Sequence, residues 1–93
     1  MKLKVTQENL TKALGYVARV AQTRGTLPVL ANVLLTVEDN RLKLATTNLD
    51  IAISCLVGAQ VQEEWSLTVP ARLLQDLVAG LPAGVIELEQ AEL

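Results

Sequence analysis

The spacing of apolar and polar residues at the start of the chain changes from the two-residue period of a strand to the longer period of a helix. Residues 2–6 alternate, with Leu3 and Val5 on one side, which predicts a short half-buried strand. Thr6 then stands where its hydroxyl can cap a helix. We predict that this helix covers about residues 7–21, because apolar side chains recur there at intervals of three and four. These side chains belong to Leu10, Ala13, Leu14, Val17, Val20 and Ala21.

The middle of the chain predicts a three-stranded antiparallel meander. Two extended runs cover residues 29–38 and 41–47, and a longer third run covers residues 49–62. The first two runs are separated by Asp39 and Asn40, which are residues that tolerate the backbone of a tight hairpin turn.

The strand-then-helix pattern returns after residue 65. Residues 66–69 alternate like a strand, and Pro70 suits the first turn of a second helix, where a missing N–H costs nothing. Gly80 and Pro82 end that helix, and residues 85–89 form a last strand. The predicted apolar side of the second helix consists of Leu73, Leu74, Leu77, Val78 and Leu81.

The two strand–helix segments superimpose at an offset of 64 residues, which indicates an internal repeat. At this offset Leu3, Val5, Leu10, Ala13 and Leu14 fall on Leu67, Val69, Leu74, Leu77 and Val78, all of them apolar. The first repeat, residues 1–64, has three strands after its helix, whereas the second, residues 65–93, has one. We therefore expect one α+β domain over residues 1–93, with two helices packed on antiparallel sheet and an incomplete second repeat.

Composition and charge narrow the class of protein. Apolar residues make up 51% of the chain, which argues against disorder. No apolar run approaches the roughly 20 residues that cross a bilayer, and the polar start does not resemble a secretory signal, so a cytoplasmic protein is expected. The net charge is −2, yet residues 1–43 carry seven cations and three acids, and residues 44–93 carry one cation and seven acids. This asymmetry is typical of a basic face on an acidic body.

The chain offers no residues for the common catalytic or metal-binding arrangements. It has no histidine, and its single cysteine, Cys55, lies in an apolar run where a structural role is expected. The spacing of its five glycines matches neither the dinucleotide-binding motif nor the phosphate-binding P-loop. The acids Glu87 and Glu89 alternate along the last predicted strand, as in a solvated strand edge. We expect a non-enzymatic protein with no cofactor and no bound metal.

A group of cations on or beside the two predicted helices is the remaining candidate for a functional site. Lys12, Tyr16 and Arg19 recur at helical spacing opposite the apolar stripe of the first helix. Arg24 follows that helix, and Arg72 lies in the first turn of the second. Two interpretations stay open: a basic face formed when the helices lie side by side, or the solvated surface of a small structural or interaction module with no nucleic-acid role.

Four segments carry a more specific signal. They are KLKVTQENLTKAL at the start, RGTLPVLAN from Arg24, LKLATTNLD from Leu42, and TVPAR before the second helix. Together and in this order they resemble the amino-terminal domain of the bacterial sliding clamp, the beta subunit of DNA polymerase III. The resemblance implies a DNA-clamp fold with two strand–helix–three-strand units per domain, three domains per chain, and two chains in a head-to-tail ring whose hole is lined by helices.

The resemblance also implies a function, partners and site residues. A protein of this family is a processivity factor that encircles double-stranded DNA without sequence specificity, and it binds a second clamp chain, a clamp loader and a polymerase. By position, Arg24 and Arg72 would contact DNA; Lys12 and Arg19 join them by their place on the inner helix. The second helix would take part in the ring contact, which brings in Leu73 and Leu77. The chain would stop inside the first domain, before the cleft for loader and polymerase, and its open sheet edge would favour self-association.

Overall fold

The structure, a computed structural model, describes residues 2–21, 31–48 and 50–91. These residues form seven strands and two helices, which confirms the α+β class. In chain order the elements are β1 (Lys2–Thr6), α1 (Gln7–Val17), β2 (Asn32–Glu38), β3 (Arg41–Thr47), β4 (Ala52–Gly58), β5 (Gln60–Glu63), β6 (Trp65–Pro70), α2 (Ala71–Ala79) and β7 (Val85–Glu89).

The strands form two antiparallel sheets, with the orders β5-β1-β7 and β4-β3-β2-β6. The strand before each helix pairs with the strand after the other helix. Thus β1 pairs with β7, with Val5 opposite Ile86, and β6 pairs with β2, with Leu67 opposite Leu35. Each strand–helix segment is therefore anchored in a sheet that the other segment helps to build.

The hairpin between β2 and β3 turns at the predicted residues. Asp39 and Asn40 have φ values of 50° and 57°, which are the two positive values that a type I′ turn requires. The meander β2-β3-β4 follows as predicted.

The long third run of the meander is two strands rather than one. The chain passes from one sheet to the other at Ala59, whose N–H donates to the carbonyl of Asn40 at 3.0 Å. Before Ala59, β4 pairs with β3. After it, β5 pairs with β1 in the other sheet. The inward-facing positions continue without a break from Val57 through Ala59 to Val61. The apolar alternation therefore carries no sign of the change of sheet.

Helix α1 begins as predicted and ends earlier. The Thr6 hydroxyl accepts a hydrogen bond from the N–H of Asn9 at 3.3 Å, which confirms the cap. The α-helix stops at Val17 instead of continuing to residue 21. The carbonyl of Val17 accepts from the N–H of Val20 at 3.2 Å and from the buried hydroxyl of Thr46 at 2.5 Å. The sheet thus takes up the acceptor that a further helical turn would have used.

The core lies between the sheets and one side of α1. Leu3 of β1 and Leu10 and Leu14 of α1 are completely buried, as is Leu44 of β3. Close packing of this kind makes the position of α1 on the sheets difficult to change without leaving a cavity.

Helix α2 buries only part of its predicted apolar side. It buries Ala71 and Val78 and half-buries Leu74, but Leu73 and Leu77 are 66% and 62% exposed. The described elements therefore cover only the part of the predicted apolar side that carries Leu74 and Val78, and none of them covers the flank that carries Leu73 and Leu77. Pro70 is the last residue of β6 and precedes the helix, so it is not in the first helical turn as predicted.

The helices run antiparallel, side by side. The amide of Gln7, at the start of α1, donates to the carbonyl of Val78 near the end of α2 at 3.1 Å. The backbone N–H of Gln7 also donates to the carbonyl of Gly84 at 2.8 Å, just before β7. These bonds hold the start of α1 against the end of α2, so the end of α1 lies beside the start of α2.

We expect Thr46→Val to lower the free energy of unfolding by about 1–3 kcal/mol, because it removes the donor to Val17 and leaves a buried carbonyl less well satisfied. Urea denaturation of the 93-residue chain measures this difference. Thr46→Ser is the matched control, since it keeps the hydroxyl. Equal stability of the valine variant and the wild type would contradict the role given to this bond.

Candidate nucleic-acid interface

The outward side of the helix pair carries three of the four predicted DNA-binding residues. Lys12, Arg19 and Arg72 are all exposed, as is Tyr16 on the same side of α1. The fourth predicted residue, Arg24, lies outside the described residues and stays a prediction.

The structure brings Arg19 and Arg72 to one place. Both line a cleft of about 170 Å³ between α1 and α2, together with Gly15, Ala18 and Gln75. The antiparallel arrangement explains this, because Arg19 follows the last turn of α1 and Arg72 is the second residue of α2. Within the described part of the chain, neither arginine side chain forms a hydrogen bond or an ion pair. The cleft thus presents two guanidinium groups that are not neutralised by these residues.

Lys12 is set apart from the two arginines. Its ammonium nitrogen lies 3.3 Å from a carboxylate oxygen of Glu8, one helical turn earlier, and both side chains are mostly exposed. Lys12 lines a different groove, between α1 and β4, with Tyr16 and Leu56. Because an exposed pair of this kind partly cancels its own field, Lys12 contributes less positive potential than an unpaired cation would.

Two exposed acids of the helix pair lie close to these cations. Glu8 pairs with Lys12, and Asp76 lies one turn after Arg72 on α2, also exposed. The helical spacing that groups the cations places these acids near them and was sufficient to find them. Positive charge is therefore concentrated at the end of the pair that holds Arg19 and Arg72.

Gln75 and Gly15 are further residues of the cleft that the sequence analysis missed. Gln75 lies three residues after Arg72, so helical spacing puts the two on neighbouring positions of α2. Gly15 lines the other wall, and a Cβ built on it meets no atom within 4 Å. Their role depends on the contact between helices, which no local pattern reveals.

The predicted interface residues Leu73 and Leu77 lie on the other flank of α2. Gln75 faces the α1 cleft, and residues two positions before and after it on a helix point to the opposite side. The exposure of both leucines makes an apolar strip on this flank, facing away from α1.

Residues 2–21, 31–48 and 50–91 were also compared with the requirements of a metal site, a membrane span and a reactive cysteine. This part of the chain has no group of three or more residues able to hold a metal ion, and none of its helices is long and apolar enough to cross a membrane. Cys55 is half-buried in β4 and packs against the core, as a structural thiol does.

Comparison with known proteins identifies the family. Residues 1–92 match the family model of the DNA polymerase III beta subunit, N-terminal domain. The chain is 40% identical over 84 residues to the beta sliding clamp of Caulobacter vibrioides, covering 90% of this chain and 23% of the relative. It is 43% identical over 90 residues to the beta sliding clamp of Pseudomonas aeruginosa, covering 92% of this chain and 24% of the relative.

Solved structures agree with the sequence match. The DNA polymerase sliding clamp of Caulobacter crescentus superimposes with a TM-score of 0.93 at 38% identity, covering 98% of this chain and 25% of that one. The DNA polymerase III beta subunit of Pseudomonas aeruginosa gives a TM-score of 0.93 at 39% identity, covering 99% and 25%. The DNA-clamp fold is thereby confirmed, and the chain spans about a quarter of the length of the relatives it matches. The chain belongs to the DNA polymerase III beta subunit family and corresponds to its amino-terminal domain.

Proposed function

We propose that this chain is the amino-terminal part of a DNA-sliding processivity factor of the replicative polymerase, which encircles duplex DNA without sequence specificity and catalyses no reaction itself. The observation that carries the proposal is the match of residues 1–92 to the family's amino-terminal domain, together with its superposition on solved sliding clamps. The cytoplasm, where bacterial DNA is replicated, is the proposed location.

The proposed attachment to DNA is electrostatic and weak. Arg24, Arg72, Arg19 and Lys12 contact phosphates, and each contact releases condensed counterions, so that affinity falls with salt at a slope of about −0.9 per contact. Two to four such contacts, on a chain of net charge −2, attract the backbone without fixing one position along it. Retention on DNA then comes from the closed ring.

The proposed ring requires partners beyond these residues. A second clamp chain contacts the flank of α2 that carries Leu73 and Leu77, whose exposure supports an interface there. Clamp loader and polymerase bind elsewhere in the complete protein, in a region outside this chain. The proposed domain division is a first repeat over residues 1–64 and a partial second repeat over residues 65–93, which the exchanged pairing of β1 with β7 and β6 with β2 supports.

A chimera tests the proposed function. We expect that a Pseudomonas aeruginosa beta sliding clamp carrying residues 1–92 in place of its own matching segment is retained on nicked circular DNA and is released when the circle is cut. Encirclement has this topological signature, whereas direct binding does not. Gel filtration of chimera–DNA mixtures after loading, before and after linearisation, measures retention, with the unaltered clamp as control. A dimeric chimera that binds circles and linear DNA equally would contradict the proposal.

In the same chimera we expect Arg24→Ala combined with Arg72→Ala to weaken the salt-dependent attraction to DNA, which lowers the yield of loading and makes the remaining affinity vary less with salt. Two lost phosphate contacts reduce the slope of log affinity against log salt by about 2. Glu38→Ala, on the hairpin strand β2, is the matched control because it leaves the helix pair unchanged. Unaltered loading and salt dependence in the double variant would favour the alternative of an interaction module without a nucleic-acid role.

The 93-residue chain by itself is expected to self-associate. It exposes Leu73 and Leu77, and β7 pairs with β1 alone among the described strands, which leaves one of its edges open. Leu73→Glu with Leu77→Glu should weaken association by more than about tenfold, since burying each leucine is worth roughly 1.5–3 kcal/mol. Light scattering against concentration measures it. Leu56→Glu, at a position 58% exposed on β4, is the control; a monomeric wild-type chain, or an equal effect of the control, would contradict the prediction.

A further inference from the structure

We propose that the cleft between α1 and α2 binds a single phosphodiester group of duplex DNA, held between Arg19 and Arg72, so that the two arginines act as one site. The inference rests on the proposed function and goes further, since a sliding clamp requires only a diffuse basic face. It predicts that the geometry of the two guanidinium groups matters, and not only their charge.

The contents of the cleft favour an anion. Arg19, just after the end of α1, and Arg72, in the first turn of α2, line it, and Gln75 adds an amide. Guanidinium groups only donate hydrogen bonds, and their planar fork matches two oxygens of one phosphate. No acid is among the described residues that line the cleft. Two arginines that line one cleft, with no hydrogen bond or ion pair to the described residues, suit an external acceptor that carries several oxygens.

The walls of the cleft leave room for that acceptor. On the α1 side they are formed by Gly15, which has no side chain, and Ala18, which has only a methyl group. A Cβ on Gly15 would point into open space. A larger residue at position 15, one turn before Arg19, would reach into the cleft. The small residues on the α1 side thus leave space in the cleft for a ligand beside the two arginines.

The rest of the helix pair is electrostatically weaker. Lys12 is engaged by Glu8 at 3.3 Å, and Asp76 lies one turn beyond Arg72. A phosphate that approaches the cleft therefore meets two arginines with no ion pair to the described residues, whereas at Lys12 it meets a cation already paired with Glu8. This contrast predicts one localised contact on these helices in place of several equal ones.

The test compares lysine with alanine at the two arginines. A 12-base-pair duplex is titrated into the isotopically labelled 93-residue chain at low salt, and chemical shifts are followed by NMR, which detects weak binding that does not need a closed ring. A Leu73→Gln/Leu77→Gln background removes the exposed leucines of α2 and adds no charge beside Arg72. We expect the largest shifts at Gly15, Arg19, Arg72 and Gln75.

Arg19→Lys and Arg72→Lys should each weaken duplex binding by about 3- to 10-fold, although charge is kept, because an ammonium group cannot make the bidentate contact. Replacing both arginines by alanine should weaken binding little more than the stronger single alanine variant, since residues that hold one group are not additive. Lys43→Ala is the matched control and should change the dissociation constant less than about 2-fold, because Lys43 is an exposed cation on the face of β3 opposite the buried Leu42 and Leu44 and is not part of the helix pair.

A steric variant gives an independent measurement. Gly15→Leu leaves every charge in place and fills the cleft, so it should abolish the shifts at Arg72 and Gln75 on addition of the duplex, while Gly15→Ala should preserve them. Loss of the shifts in the leucine variant with a native NMR spectrum in the absence of DNA supports the proposal; preserved shifts and affinity would overturn it.

The outcomes separate this inference from the proposed function. Wild-type affinity in the lysine variants, with weaker binding in the alanine variants, would overturn the single-phosphate site and leave a diffuse sliding face. Saturation of the same shifts by inorganic phosphate at the same concentration and ionic strength would show a small-anion site and overturn the duplex assignment. A duplex that perturbs no residue of the helix pair would overturn the inference, and failure of the circular-DNA chimera would overturn the proposed function itself.

Discussion

The exchanged pairing of strands is the constraint on which the rest of the structure depends. Since β1 pairs with β7 and β6 pairs with β2, neither strand–helix segment can complete its sheet without the other. The helices that follow β1 and β6 are consequently placed side by side and antiparallel, and Gln7 fixes their relation by its bond to Val78. The Arg19–Arg72 cleft is a product of this arrangement, because it joins the end of one helix to the start of the other.

The charges on the helix pair are distributed unevenly, which the net charge of the chain does not show. A chain with net charge −2 is a poor general ligand for DNA. The described residues nevertheless leave Arg19, just after α1, and Arg72, at the start of α2, without an ion pair, while Lys12 is paired with Glu8 on the other side of α1. Under the proposed function, this distribution of charge concentrates a weak attraction for DNA at the cleft, while the acidic remainder of the surface repels the DNA backbone. Such a combination suits a protein that must hold DNA and still move along it.

The two repeats share a hydrophobic pattern but not the same burial. Ala13 of α1 is 2% exposed, whereas Leu77, its counterpart at the offset of 64 residues, is 62% exposed. The difference has a structural cause, because the flank of α1 with Ala13 lies along β4 and no described strand covers the corresponding flank of α2. Periodicity reports which residues are apolar, and the neighbouring elements determine which of them are buried.

The sequence by itself determined β1, the cap at Thr6, the turn at Asp39 and Asn40, and the strand–helix repeat, because each depends on residues close together along the chain. Its four family segments also predicted the DNA-clamp fold. Only the tertiary structure decided that α1 ends at Val17, where Thr46 occupies the carbonyl, and that the chain changes sheets at Ala59. It alone separated Lys12 from the cleft of Arg19 and Arg72. Contacts between residues far apart in sequence fix these features, and local periodicity carries no record of them.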